Sequence, residues 1–205
     1  EEGKQRVIEK GNIRIVPLLK EPSPGALLFE ILYPLGFNAA QTKNILAMLE
    51  GQTGKQFMGK DGWRVVKDRE LLLIDKKEKQ EIPPFCLIKE EKEYTKDFII
   101  PREKHIACFD TDKLIGELNL RKWQTGDIFI PFGMKGKKKI SDYLTDRKFS
   151  IIQKENQWVL CCGDKIIWIV GERTDNRFRI DEKTKKVTVF KMSEKATDNP
   201  LIIST

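Results

Sequence analysis

Apolar residues recur at helical spacing early in the chain and give way to short alternating runs later. After Glu21-Pro22-Ser23-Pro24, the residues Leu27, Leu28, Ile31, Leu32 and Leu35 share one helical face, with a break near Gly36. Asn38 then stands before a second stripe of Thr42, Ile45, Leu46 and Leu49. Gln41 is placed to complete a capping box, and Gly51 to end the helix. Upstream, residues 13–19 read as a strand. Downstream, residues 63–67 and 70–75 read as a hairpin turning at Asp68-Arg69.

Strand patterns dominate the second half. Residues 106–109, 128–130, 158–161, 166–170 and 187–190 are short apolar or alternating runs, and Gly163-Asp164 suits a two-residue hairpin turn. One short helix is expected over 138–145, with Ile140, Tyr143 and Leu144 on one face. Two charged stretches, 76–84 (KKEKQEIPP) and 91–97 (EKEYTKD), bracket the expected linker, and the boundary is placed near residue 95. The pattern predicts an α+β protein: a small helical module over 1–95, then a strand-rich α+β domain over 96–205.

Composition narrows the function classes. Of 205 residues, 40% are hydrophobic and 34% charged, which suits a folded chain and argues against disorder. The net charge of +7 favours an acidic partner, nucleic acid foremost. No apolar run approaches the roughly 20 residues that span a bilayer, and the start, Glu1-Glu2-Gly3-Lys4, does not resemble a signal peptide. No membrane partner is expected, and the location is expected to be cytoplasmic. The chain does not begin with Met, so it is expected to be a piece of a longer protein. Cys86, Cys108, Cys161 and Cys162 show no CxxC spacing, and His105 is the only histidine. Reduced structural thiols are expected, with no metal site. Adjacent Cys161 and Cys162 in a strand would face opposite sides.

Three basic groups carry the candidate chemistry. The first is Gly133-Met134-Lys135-Gly136-Lys137-Lys138-Lys139, a glycine-rich turn delivering lysines to the expected helix start. Phosphate would suit the pliable backbone, the helix amides and the mobile charge together. A solvated loop fits these residues equally well. Arg173, Arg177 and Arg179 form the second group. If residues 177–179 are extended, Arg177 and Arg179 share a face for phosphate. Salt bridges to Glu172, Asp175 or Asp181 are the equal alternative. The third is Arg121-Lys122-Trp123, whose tryptophan is either a stacking platform or core. Asp127 in Thr-Gly-Asp is expected to bond its local backbone, and Asp142 to complement the first turn of the short helix. No catalytic residue is assigned, because no histidine-paired acids, GxSxG turn or Walker loop appear.

The pattern DTDKL…LRKWQTGDIFIPFGMKGKKKISDYLTDRK…IIWIVGERTDNRF over 110–178 resembles the C-terminal domain of bacterial tRNA(Ile)-lysidine synthetases. Residues 36–74 are similar to that family's middle, substrate-tRNA-binding domain. The resemblance implies an enzyme that uses ATP and Mg to attach lysine to the wobble cytidine of isoleucine tRNA. Its SGGxDS catalytic loop does not occur in this sequence, so the chain alone is not expected to be active or to carry a cofactor. By motif, Arg121, Lys135, Lys137, Lys138, Lys139, Arg173 and Arg177 would contact tRNA near its acceptor end. Gly126, Asp127, Gly133 and Gly136 would shape the loops that present them. Isoleucine tRNA and the family's own N-terminal catalytic domain are the implied partners, with a homodimer considered. The alternative reading is a protein-interaction module that docks that domain or a second copy through an apolar patch around Phe129 and Phe132.

Overall fold

The computed structural model describes residues 2–77, 82–194 and 202–204. Residues 78–81, the middle of the charged stretch expected as linker, lie outside the described residues. The chain divides into two compact units, residues 1–79 with 150–152, and residues 80–149 with 153–205.

The first unit holds α1 (Glu2–Val7), β1 (Ile8–Glu9), β2 (Asn12–Arg14), α2 (Ile15–Leu19), α3 (Pro24–Leu32), α4 (Ala39–Ala47), β3 (Gln56–Met58), β4 (Trp63–Asp68) and β5 (Leu71–Lys76). Its antiparallel sheet has the order β1-β2-β5-β4-β3. The sheet packs Ile13, Val65 and Leu72 against Leu18, Leu28, Leu32 and Ile45 of the helices. The capping box forms as expected: Asn38 Oδ1 accepts from the Gln41 amide at 2.8 Å, and Gln41 Oε1 from the Asn38 amide at 3.0 Å. Gly36 ends the preceding turn at φ +83°, where a Cβ would meet Lys60 at 2.5 Å. The strand expected over 13–19 is corrected. Only Asn12–Arg14 is extended, and α2 follows it at once. Ile13 and Ile15 mimic strand alternation, but Ile15 and Leu18 are buried one helical turn apart. Pro17 is tolerated because it sits in the first turn, where no helical N–H bond is required.

The second unit holds β6 (Phe85–Glu93), β7 (Ile106–Asp110), β8 (Leu118–Lys122), β9 (Ile128–Phe129), β10 (Lys138–Lys139), α5 (Ile140–Asp146), β11 (Trp158–Cys162), β12 (Lys165–Ile169), β13 (Arg173–Thr174), β14 (Lys186–Glu194) and β15 (Ile202–Ser204). The short α6 (Ile151–Glu155) crosses the division between the units. One sheet has the order β13-β12-β11-β8, another β15-β6-β14-β7, and β9 and β10 pair as a small ribbon. Leu160, Cys162 and Trp168 of the first sheet share a core with Leu87, Phe109 and Phe190 of the second. Its other face packs Val159, Cys161, Ile166 and Ile169 on Phe129, Ile140 and Leu144. Cys161 and Cys162 thus lie on opposite faces, as the strand period requires.

Strand β6 lies between the unit division and the expected boundary near residue 95. Its KEEKE end resembles a solvated linker, yet it pairs in unbroken register with β14, from Glu93 opposite Lys186 to Phe85 opposite Glu194. Leu87 and Cys86 at its other end are buried.

Candidate nucleic-acid interface

The lysine loop and the arginine strip, separate in sequence, form one structure. Ile130 donates to Asp175 Oδ2 at 2.8 Å, and Asn176 donates its amide to Ile130 O at 2.7 Å. Phe132 donates to Thr174 O at 2.9 Å, and Gly133 to Asn176 Oδ1 at 3.0 Å. The turn closes with Met134 N on Pro131 O at 2.8 Å, and Gly133 supplies the left-handed residue at φ +83°. Gly126 does the same, at φ +97°, in the turn that Asp127 N closes on Gln124 O at 3.0 Å. Gly136 has neither a positive φ nor an atom within 4 Å of a would-be Cβ. Its place is open space.

The helix-start seat expected for phosphate is corrected. Lys138 and Lys139 are extended in β10, opposite Phe129 and Ile128. The first amide of α5, at Ile140, already donates to Asp127 O at 2.9 Å. The lysines therefore project from a ribbon and its loop rather than from a helix end. Lys138 is half-buried and paired with Asp146 at 2.6 Å. Lys135, Lys137 and Lys139 are exposed and make no ion pair among the described residues.

The arginines divide in the same way. Residues Asn176–Phe178 form a 3-10 turn, not an extended segment, so Arg177 and Arg179 do not share a strand face. Arg177 folds back on Asp175, with Nε to Oδ1 at 2.9 Å and Nη2 to Oδ2 at 2.8 Å. That hydrogen-bonded partner raises its pKa. Arg173 and Arg179 are exposed and unpaired among the described residues.

The third basic group is turned inward. Arg121 forks onto Asp127, with Nη1 to Oδ2 at 2.8 Å and Nη2 to Oδ1 at 3.0 Å. Asp127 also accepts from the Gln124 amide at 2.7 Å. Burial pushes the Asp127 carboxyl upward, but these donors outweigh it and hold its pKa below the ordinary value. Lys122 lies 5.0 Å over the Trp158 ring and donates to Glu155 O at 2.9 Å. Trp123 Nε1 donates to Lys154 O at 2.6 Å. Its ring packs on the core, the second of the two roles its sequence context allows. Of the apolar patch expected around Phe129 and Phe132, Phe129 is buried against Tyr143, whereas Phe132 is exposed, as are Ile128 and Met134.

Residues 9–77 match the family model described as the TilS substrate binding domain, and residues 118–190 the model described as the TilS substrate C-terminal domain. The chain belongs to the TilS family. A tRNA(Ile)-lysidine synthase of Bacteroides thetaiotaomicron is 63% identical over 194 residues, covering 94% of this chain and 45% of that protein. One from Parabacteroides distasonis is 45% identical over 199 residues, covering 91% of this chain and 45% of its own. The chain therefore spans about half the length of these curated relatives. A crystal structure of a TilS C-terminal domain aligns with a TM-score of 0.45 at 12% identity, over 73% of this chain and 97% of that one.

Sequence reasoning missed one cluster in this TilS chain. Glu172, with a side chain 9% exposed, takes Lys104 at 2.7 Å and Arg147 at 3.0 Å. Tyr143 Oη donates to it at 3.3 Å. Burial alone would raise the Glu172 carboxyl, but its two cationic donors bring it below the ordinary value. Lys104 and Arg147 are distant in sequence, so no local pattern could have joined them. Among the described residues, no three His, Cys, Asp or Glu side chains are placed to hold a metal ion, and all four cysteines are free. No helix among them is long and apolar enough to cross a membrane.

Proposed function

We propose that this chain is the tRNA-holding portion of a cytoplasmic tRNA(Ile)-lysidine synthase. It captures and positions isoleucine tRNA while ATP-dependent ligation proceeds in the enzyme's catalytic domain. One observation carries the reading: Lys135, Lys137, Lys139, Arg173 and Arg179 are exposed and unpaired among the described residues, while Asp127, Asp146 and Asp175 are each already matched by a cation. Asp175 neutralises Arg177 and bonds to the loop, so the cations that remain stand around a hydrogen-bonded frame. Such charge holds phosphates without reading bases, since phosphate contacts set position and base edges set sequence. The names of the relatives support the identity of the RNA. Arg121, Arg177 and Lys138 act in this reading as supports for the surface rather than as contacts.

Fluorescence anisotropy of the chain with unmodified isoleucine tRNA and with an unrelated tRNA, at low and moderate salt, tests this directly. Salt-sensitive binding of both is expected, because released counterions drive the association. Failure to bind either tRNA at low salt overturns the reading.

A further inference from the structure

A cleft of about 880 Å³ opens in the second unit, a volume within the range of small-ligand sites. Residues 98–104 line it together with Phe132, Arg147 and Arg173, and Tyr143 and Trp168 form part of its buried lining. Glu172 lies there too, but Lys104 and Arg147 already satisfy its carboxylate. That leaves Arg102 and Arg173, with one acid, Glu103, exposed and without ion pairs among the described residues. Apolar side chains stand beside them in water: Ile100 is 47% exposed and Phe132 49%. Phe132 lies in the turn that Met134 N closes on Pro131 O, directly before Lys135 in the chain.

Exposed aromatic and aliphatic surface beside free guanidinium groups matches a nucleotide, with one flat apolar face and one anionic end. A base inside a duplex offers neither face, so the nucleotide must be unpaired. We propose that this cleft receives one unpaired nucleotide of the bound RNA, its base against Phe132 and Ile100 and its phosphate on Arg102 and Arg173. Recognition by stacking and charge is indifferent to base identity. The inference rests on the tRNA-holding reading above and deepens it, by giving the surface a place for single strand as well as for backbone.

Two RNA hairpins of equal stem test it, one blunt and one with a short single-stranded overhang, measured by anisotropy with the whole chain. The overhang is expected to tighten binding about tenfold, the value of roughly one stacked base. Phe132→Ala is expected to erase that gain and leave the blunt hairpin's affinity unchanged. Arg102→Ala is expected to reduce the gain in the same way. Both side chains are exposed, and circular dichroism melts serve to check that the variants fold. Equal affinity for the two hairpins overturns the cleft proposal, as does an overhang preference that survives in both variants. Blunt-hairpin binding would then still uphold the tRNA-holding reading. If neither hairpin binds, that reading falls first and the cleft falls with it.

Discussion

A carboxylate removed from water is stable only when donors match its oxygens. Asp175, fully buried, meets four: the amides of Ile130 and Arg177, and Nε and Nη2 of Arg177. This one side chain therefore does two things. It neutralises the arginine that sequence offered as a phosphate ligand, and it ties the lysine loop to the arginine strip. Asp175→Ala removes the acceptor of four half-buried hydrogen bonds and is expected to cost about 1–2 kcal/mol, read as a lower urea midpoint at unchanged m-value. Asp175→Asn, which keeps one acceptor, should fall between. A midpoint unmoved by Asp175→Ala would mean that the loop is held by the remaining backbone bonds alone. Arg177 also shows why its role was undecided in the sequence: an acid two residues away and a phosphate in solution satisfy a guanidinium equally, and only the turn decides which is in reach.

Strand period assigns the lysines their tasks. Successive residues of a strand face opposite sides, so in β10 Lys138 is half-buried and paired with Asp146, while Lys139 is exposed and unpaired among the described residues. Lys139→Glu is expected to weaken tRNA binding about fivefold, whereas Lys138→Gln should change it less than twofold. Equal losses in anisotropy titrations would refute this division of labour. The same residues mark what the sequence makes legible. The capping box at Asn38 and the Gly163-Asp164 turn depend on neighbours within a few positions and are readable directly. The start of α5 is not, because two residues that pair with Ile128 and Phe129 look the same as a first helical turn. Strand β12 shows a further limit. Leu160 stands opposite Trp168 but Cys161 opposite Ile166, so the bulge at Ile167 resets the alternation within an unbroken apolar run. Long-range pairing also explains the reading of β6, whose charged half is strand only because β14 lies beside it.

At the scale of the whole molecule, a net charge of +7 alone would attract any polyanion. The tRNA-holding reading demands more, namely that attraction be local. Two triple variants with identical net charge separate the possibilities. One reverses Lys135, Lys137 and Lys139 to glutamate. The other reverses Lys165, Lys183 and Lys185, which are equally exposed. None of these three belongs to the lysine loop or to the arginine strip. Each phosphate contact contributes roughly 0.7–0.9 to the slope of log affinity against log salt. The loop triple is therefore expected to flatten the slope by about two and to weaken binding at every salt concentration. The control triple should shift affinity only slightly and leave the slope near that of the unaltered chain. Equal flattening by both would mean that the molecule attracts RNA through diffuse charge, and that the frame built around Asp175 holds no phosphate in place.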